Sequence, residues 1–225
     1  MKPFFTSSKL RALCVLAVHL LLLNRAHAIL DTNLNGISDL WEKQYNSGNL
    51  FPNTFLTTAD PDNDGWDNIT EAAAGTDPFS SNLADGIVNL GITRTTTPGF
   101  FKFSHPTILG KSYQMQGSSD LLSWYNIGEA HLAFENTHSS FSGVTTTTGD
   151  PAARFFWRSL IADVDSDNDG LSDYEEIILG TNPNYDDTDN DGIKDKTELL
   201  RALDPLNADT DDDGLTDGFE PEIRS

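Results

Sequence analysis

One acidic motif recurs five times along the chain and restricts its fold more than any other feature. In each copy, Asp or Asn stands at positions 1, 3 and 5, glycine at position 6 and glutamate at position 12. We call the copies loops 1 to 5 in chain order; they begin at Asp31, Asp60, Asp165, Asp187 and Asp209. The glycine predicts a tight turn, because glycine adopts backbone conformations that other residues avoid. Such a turn brings the three polar side chains before it near the glutamate that follows.

This spacing fits the ligand requirements of Ca²⁺, which binds six to eight oxygens at about 2.3–2.6 Å. Side chains at positions 1, 3 and 5 point inward as the chain curls, and glycine at position 6 permits the sharp turn. Position 7 offers its backbone carbonyl, position 9 binds directly or through water, and the glutamate at position 12 closes the shell with both oxygens. The sequence therefore predicts up to five bound Ca²⁺ ions.

The predicted ligands follow directly from this register. They are Asp31, Asn33, Asn35, Ile37, Asp39 and Glu42 in loop 1; Asp60, Asp62, Asp64, Trp66, Asn68 and Glu71 in loop 2; Asp165, Asp167, Asp169, Leu171, Asp173 and Glu176 in loop 3; Asp187, Asp189, Asp191, Ile193, Asp195 and Glu198 in loop 4; and Asp209, Asp211, Asp213, Leu215, Asp217 and Glu220 in loop 5. Loop 1 has only three carboxylates among these positions, so weaker binding is expected there. Loop 5 is followed by Pro221, which should prevent a helix and leave that site partial.

The charge balance supports a cation as the natural partner. The chain has 14 Lys and Arg against 35 Asp and Glu, a formal charge of −21, and 22 of the acids occupy ligand positions. Two carboxylates about 5 Å apart repel by roughly 3 kcal/mol at an effective dielectric constant near 20. An acidic, solvated loop without metal explains a single copy but not five in register. The same charge argues against nucleic acid or an anionic membrane as a partner.

Residues 1–28 have the features of a signal peptide. A basic segment precedes the apolar run Leu13–Leu23, and Ala26-His27-Ala28 provides a small-x-small cleavage site. The apolar run is too short to cross a bilayer, which takes about 20 residues. We therefore expect a secreted or cell-surface protein without a transmembrane segment after cleavage. Its one cysteine, Cys14, leaves with the leader, so disulfides are not expected in the mature chain.

Each loop is followed by a short helical segment with a clear end. The helix after loop 3 is predicted from Ser172 to Leu179 and ends at Gly180, and the helix after loop 2 ends at Gly75. An EF-hand also needs an entering helix, for which there is no room before Asp31 or between the last three loops, which start 22 residues apart. We therefore expect a one-dimensional array of loop–helix units.

The repeated pattern Asp-x-Asp-x-Asp-Gly-Leu-x-Asp-x-x-Glu, trailed by Gly-Thr-Asn/Asp-Pro, resembles the bacterial thrombospondin type-3 repeat. The resemblance covers residues 31–78 and 165–220. It implies stacked calcium loops in secreted, often surface-associated proteins, where they act as stiff spacers or connectors. Position 8 is polar in every loop, whereas EF-hands and dockerins usually place an aliphatic residue there. This difference disfavours a dockerin-like docking module, which stays as an alternative.

Residues 86–162 change in composition to Thr, Ser, Gly and aromatic residues. Short alternating apolar runs separated by turn residues predict six or seven antiparallel strands in a small β-sandwich. The short sequence segments around Tyr113, Trp124 and Phe156 resemble those of a fibronectin-III-like β-module of secreted bacterial proteins. We expect Trp124 to be the core tryptophan, with Tyr113 and Phe156 packed on it. The alternative is a sugar-stacking face formed by Trp124, Tyr125 and Trp157.

The sequence thus predicts a mainly β chain with short helices: an antiparallel β-sandwich at 86–162, flanked by two calcium units at 29–85 and three at 163–225. The expected function is that of a secreted, calcium-binding structural, adhesion or spacer protein, with an extracellular protein or a polysaccharide as a further partner. No enzymatic activity is expected, because His105, His131 and His138 have neither metal-ligand spacing nor a nucleophile motif around them. A carbohydrate-binding accessory module is the alternative that uses the sandwich aromatics.

Overall fold

The computed structural model describes residues 30–45, 56–81, 91–94, 101–105, 107–134, 139–142 and 156–219. The predicted signal peptide at 1–28 and the predicted ligand Glu220 lie outside these residues. Within the described ranges, no helix has the length and apolar character needed to cross a membrane.

Four short α-helices follow the first four loops, each seven residues long and each starting at position 9 of its loop. In loop 5, the described residues end in a 3-10 turn, Asp217–Phe219, and Pro221 lies beyond them. The four helices are α1 Asp39–Tyr45, α2 Asn68–Ala74, α3 Asp173–Leu179 and α4 Asp195–Arg201.

Local side-chain chemistry explains where these helices begin and end. Ser172 caps α3 in a reciprocal box: its hydroxyl accepts from the backbone N–H of Glu175, whose side chain accepts from the backbone of Ser172. Gly180 and Gly75 end α3 and α2 with φ values of 88° and 79°, the left-handed conformation that glycine adopts without strain. Ala202 takes the same role after α4, with φ of 62°. The predicted stop signals are thereby confirmed.

Between the two groups of loops lie seven described strands in two antiparallel sheets. One sheet has the order β1-β2-β6; in the other, β3 pairs with β4, β5 and β7. The longest pairing joins β3 to β7, from Lys111 opposite Asp163 to Ser118 opposite Phe156. The antiparallel strands are confirmed, whereas face-to-face packing of the two sheets as a sandwich stays a prediction. The strands are β1 Gly91–Arg94, β2 Phe101–His105, β3 Lys111–Ser118, β4 Tyr125–Asn126, β5 His131–Leu132, β6 Ser139–Ser142 and β7 Phe156–Asp163.

The buried tryptophan of the β-module is Trp157, not Trp124 as the sequence led us to expect. Trp157 lies on β7 and is 2 % exposed, alongside the buried Tyr113 and Met115 of β3. Trp124 belongs to the irregular segment before β4 and is only partly buried. The guanidinium carbon of Arg158 lies 4.2 Å from the centre of its ring. Trp124 lies outside the strands that carry the alternating core positions, and this explains the difference.

The helices after loops 1, 2 and 3 share one apolar core. Ile37, Trp41, Ala72 and Tyr174 form its buried centre. Trp41 also donates its indole N–H to the carbonyl of Thr76 over 2.9 Å. A linear array predicts contacts only between neighbours, but here the first two units pack on the third across the intervening β-module.

The β-module joins this core at the start of β3. The Lys111 ammonium lies 2.6 Å from the Asp163 carboxylate and 4.4 Å from the centre of the Tyr174 ring. Gly110 approaches α3 so closely that a Cβ there would come within 2.5 Å of the Tyr174 backbone nitrogen. Tyr174 is therefore the residue around which both groups of loops and the β-module meet.

Candidate metal centres

Aspartate side chains converge in loops 2 to 5, as the register predicts. In each of these loops, the residues at positions 1, 3 and 5 each bring one carboxylate oxygen within 4.8 Å of the other two. The clusters are Asp60, Asp62 and Asp64; Asp165, Asp167 and Asp169; Asp187, Asp189 and Asp191; and Asp209, Asp211 and Asp213. In loop 1, Asp31 and Asn33 both accept from the backbone N–H of Asn35, and of the residues at positions 1, 3 and 5 only Asp31 is a carboxylate.

Backbone N–H groups hold these side chains in place. In loop 4, the two oxygens of Asp187 accept from the N–H groups of Asp191 and Gly192, at 3.2 and 2.9 Å. Asp189 accepts from the N–H of Asp191, and Asp191 from that of Ile193. Loops 2 and 5 repeat this set of bonds. The turn thereby orients its acids without using up their capacity to accept, since a carboxylate offers about four lone-pair sites.

Several carboxylate oxygens at positions 3 and 12 of the loops are buried without a hydrogen-bond donor. The second oxygens of Asp62, Asp167 and Asp189, all at position 3, have no partner. Glu176 and Glu198, at position 12, are fully buried, and neither oxygen of either residue has a partner. Burying an ionised carboxylate costs several kcal/mol or more unless an opposite charge compensates it. The arrangement fits a bound cation, which supplies that charge.

The electrostatics of the two buried glutamates reflect the same crowding. Burial, followed by repulsion from neighbouring aspartates, raises the pKa of Glu176 to about 9 and that of Glu198 to about 8. Burial also raises the pKa of Asp62, Asp167 and Asp189. A divalent cation at these oxygens favours the charged form of each group and so lowers its pKa.

In loop 1, the glutamate at position 12 has hydrogen-bond donors, unlike those of loops 3 and 4. The side-chain amides of Asn35 and Asn33 donate to the two oxygens of Glu42, over 2.8 and 3.1 Å. Because amide donors already occupy both oxygens, Glu42 has less need of a cation than Glu176 or Glu198. This geometry supports the expectation that loop 1 binds calcium more weakly.

Position 9 is fixed by two interactions that the sequence analysis missed. In every loop its backbone N–H donates to the carbonyl of the residue before the loop, as from Asp39 to Leu30 over 2.7 Å. Its carboxylate accepts from the backbone and hydroxyl of a Ser or Thr at position 2 in loops 1, 3, 4 and 5. Loop 2 has Pro61 and Asn68 at these positions instead. Positions 2 and 9 therefore change together between the loops. This joint change is visible in the sequence and is the signal that could have revealed their hydrogen bonds.

The structure does not bring position 9 into the aspartate cluster of its own loop. Asp173, Asp195 and Asp217 are absent from the clusters of positions 1, 3 and 5, and Asp217 groups instead with Asp191 and Glu198 of loop 4. At position 7, Ile37, Leu171 and Ile193 are buried, Trp66 is partly buried and Leu215 is exposed. The potential metal-ligand atoms in these clusters are carboxylate oxygens. Such ligands favour a hard cation such as Ca²⁺ over a transition metal.

Comparison with known families agrees with this geometry. The bacterial TSP3 repeat model matches residues 60–81, 165–184, 187–200 and 209–221. The chain therefore carries bacterial TSP3 repeats over loops 2 to 5, and loop 1 lies outside the matched segments. TSP3 repeats bind calcium and occur in extracellular proteins. No curated protein and no solved structure is significantly similar to the chain. The fibronectin-III-like resemblance stays a prediction.

Proposed function

We propose that this protein is an extracellular calcium-binding structural protein, a connector or adhesion module and not an enzyme, in which the ions hold the loop–helix units in their packed arrangement. The observation that carries the proposal is the pair of fully buried glutamates, Glu176 and Glu198, whose four carboxylate oxygens have no hydrogen-bond donor. Such groups are tolerated in a folded protein when a cation neutralises them.

The position of each glutamate explains what an ion does for the fold. Glu176 lies within α3, whereas Asp165, Asp167 and Asp169 belong to the loop that precedes it. One ion bound by both groups ties the start of the loop to the helix. Since α3 also carries Tyr174 into the shared apolar core, a calcium ion in loop 3 stabilises the contact between the two groups of loops.

A constitutive structural role suits the chemistry better than a signalling role. Extracellular calcium modules bind with dissociation constants of about 10⁻⁴–10⁻³ M, so they stay filled outside a cell. A helix of seven residues is marginal on its own, and each one here depends on its loop and its neighbour. Loss of calcium should therefore destabilise the whole molecule and not only one conformational element within it.

The sandwich aromatics give less support to the carbohydrate-binding alternative. Trp157 is buried, and the guanidinium of Arg158 lies over one face of the Trp124 ring. Of the three rings considered for a sugar face, Tyr125 is the exposed one, at 48 %. Sugar recognition usually uses a broad open aromatic face, and one exposed ring among these three does not supply it.

Calorimetric titration and circular dichroism of the mature protein with calcium test the proposal. We expect binding heat and a gain of helical signal at millimolar calcium. Glu176→Gln and Glu198→Gln should each weaken one site by about tenfold or more, because each removes a charged ligand. Glu129→Gln, which changes an exposed glutamate of the β-module, is the matched control and should bind like the wild type. The absence of both heat and spectral change in the wild type would refute the proposal.

A further inference from the structure

A group of three carboxylates lies at the boundary between loops 4 and 5. Asp191 and Glu198 belong to loop 4 and Asp217 to loop 5, and one oxygen of each lies within 4.8 Å of the others. All three side chains are buried. Three buried acids at this distance repel one another strongly unless a cation lies between them.

The burial of Glu198 without hydrogen-bond donors is a second observation, independent of the distances within this group. It is 0 % exposed, and neither of its oxygens accepts a hydrogen bond. Asp217, by contrast, is oriented by Thr210, whose backbone N–H and hydroxyl each donate to one of its oxygens, at 3.1 and 2.7 Å. Each of these oxygens keeps a lone pair for a further partner. Thr210 thus fixes Asp217 in place beside Glu198 while its capacity to bind a cation remains.

Backbone contacts hold the two loops in this arrangement. The N–H of Gly218 donates to Asp191 over 2.8 Å, and a Cβ at Gly218 would come within 2.1 Å of the Asp191 carbonyl oxygen. Only glycine allows this approach. At the boundary of loops 3 and 4, the N–H of Lys196 donates in the same way to Asp169 over 3.3 Å, and the neighbouring Asp195 is fully buried.

We propose that Asp217 is a ligand for calcium held by Asp191 and Glu198 of loop 4, and that Asp195 acts likewise on loop 3. The inference rests on the proposed calcium-binding function and deepens it. An aspartate at position 9 then completes the site of the preceding loop, so the ion in loop 4 needs loop 5 in place. Calcium binding is coupled from one loop to the next through these shared carboxylates.

The glycine at position 6 provides a separate reporter for each loop, because its N–H donates to the aspartate at position 1 in loops 4 and 5. Calcium titration followed by amide NMR therefore gives one midpoint for Gly192 and another for Gly214. In Asp217→Asn, the proposal predicts that the Gly192 midpoint moves to about 10- to 100-fold higher calcium. Asp195→Asn should move the midpoint of Gly170 in loop 3.

Asp212→Asn is the matched control. Asp212 lies in loop 5 like Asp217 but stands at position 4, outside the predicted ligands; it is exposed and has φ of 59°, which asparagine tolerates. Its substitution should leave the Gly192 midpoint at the wild-type value. If Asp217→Asn moves Gly214 and leaves Gly192 in place, Asp217 serves its own loop and the inference is wrong.

Wild-type protein provides a test that needs no substitution. The side-chain carboxyl carbon of Asp217 should change its NMR shift at the same calcium concentration as the Gly192 amide. A change that follows Gly214 instead would overturn the inference. If none of the loop glycines responds to calcium, it is the proposed function that fails.

Discussion

Glutamate at position 12 differs between loops in whether hydrogen-bond donors compensate its charge. Glu176 and Glu198 lie at this position without hydrogen-bond donors, whereas Glu42 accepts from two asparagine amides. We therefore expect the same residue at the same register position to depend on calcium to different degrees. The difference lies in whether positions 3 and 5 carry Asp or Asn.

Loop 1 should become a stronger site when its two asparagines are replaced by aspartate. Asn33→Asp with Asn35→Asp removes the amides that donate to Glu42 and adds two charged ligands, so we expect calcium affinity in loop 1 to rise by about tenfold or more. The Gly36 amide reports the midpoint by NMR.

Leu34→Asp is the control for added charge alone. Leu34 lies in the same loop, is 86 % exposed and has φ of 58°, which aspartate tolerates. It should change the Gly36 midpoint far less than the double substitution. An equal shift in both variants would mean that general charge, and not ligand position, sets the affinity.

The buried glutamates also set the pH dependence of stability. Without calcium, the pKa of Glu176 is raised from its ordinary value of 4.5 to about 9, and that of Glu198 to about 8. Between these values the folded protein holds more protons than the unfolded chain, so the free energy of unfolding falls as pH rises. We expect calcium-free protein to lose stability from about pH 5 to about pH 9, the folded-state pKa of Glu176.

Calcium should reverse this trend, because an ion binds the deprotonated carboxylates and is displaced by protons. Urea unfolding at several pH values, with chelator and with saturating calcium, measures both slopes. The calcium-free slope should flatten in Glu176→Gln with Glu198→Gln. Parallel slopes with and without calcium would contradict this assignment of the two glutamates.

At the scale of elements, α3 is the helix that connects the two groups of loops. Its Glu175 is fully buried and accepts from the backbone N–H of Leu30 over 2.8 Å and from the hydroxyl of Ser38. The same carboxylate closes the capping box with Ser172. One side chain thus caps its own helix and binds the segment at loop 1.

Replacing this carboxylate should lower the free energy of unfolding even when the calcium sites are filled. Glu175→Gln retains one oxygen acceptor but puts an amide donor where N–H and hydroxyl groups already donate, so we expect a loss of about 1–3 kcal/mol in the free energy of unfolding. Chemical denaturation at saturating calcium measures it. The exposed substitution Glu129→Gln should cost almost nothing, and equal stability of the two variants would show that the contact to loop 1 contributes little.

The features that the sequence predicts correctly are local. Loop register and the helix ends at Gly75 and Gly180 depend on residues within one unit. The prediction for Trp124 was wrong because the sequence does not show that Trp124 precedes β4 in an irregular segment, whereas the pairing of β3 with β7 places Trp157 in the core. The hydrogen bonds of position 9 were missed although their partners lie in the same loop, because the calcium-loop pattern assigns no role to the Ser or Thr at position 2.

At the scale of the molecule, the first two units and the third form a joint core. Leu30 and Leu40 pack with Leu171, and Trp41 and Ile37 join the cluster around Tyr174. These contacts span more than a hundred residues, and the sequence of each unit only says that it has an apolar side to bury. Position 8 illustrates the limit, since nothing in the repeat marks Ser38 as a donor to Glu175.

If divalent ions hold this molecule together, their removal should change both its stability and its size. The melting temperature and hydrodynamic radius of the mature protein are measured in millimolar calcium and again after chelation. Chelation should lower the melting temperature and enlarge the radius, and added calcium should restore both values. If both quantities stay the same after complete removal of calcium, divalent ions do not hold the fold.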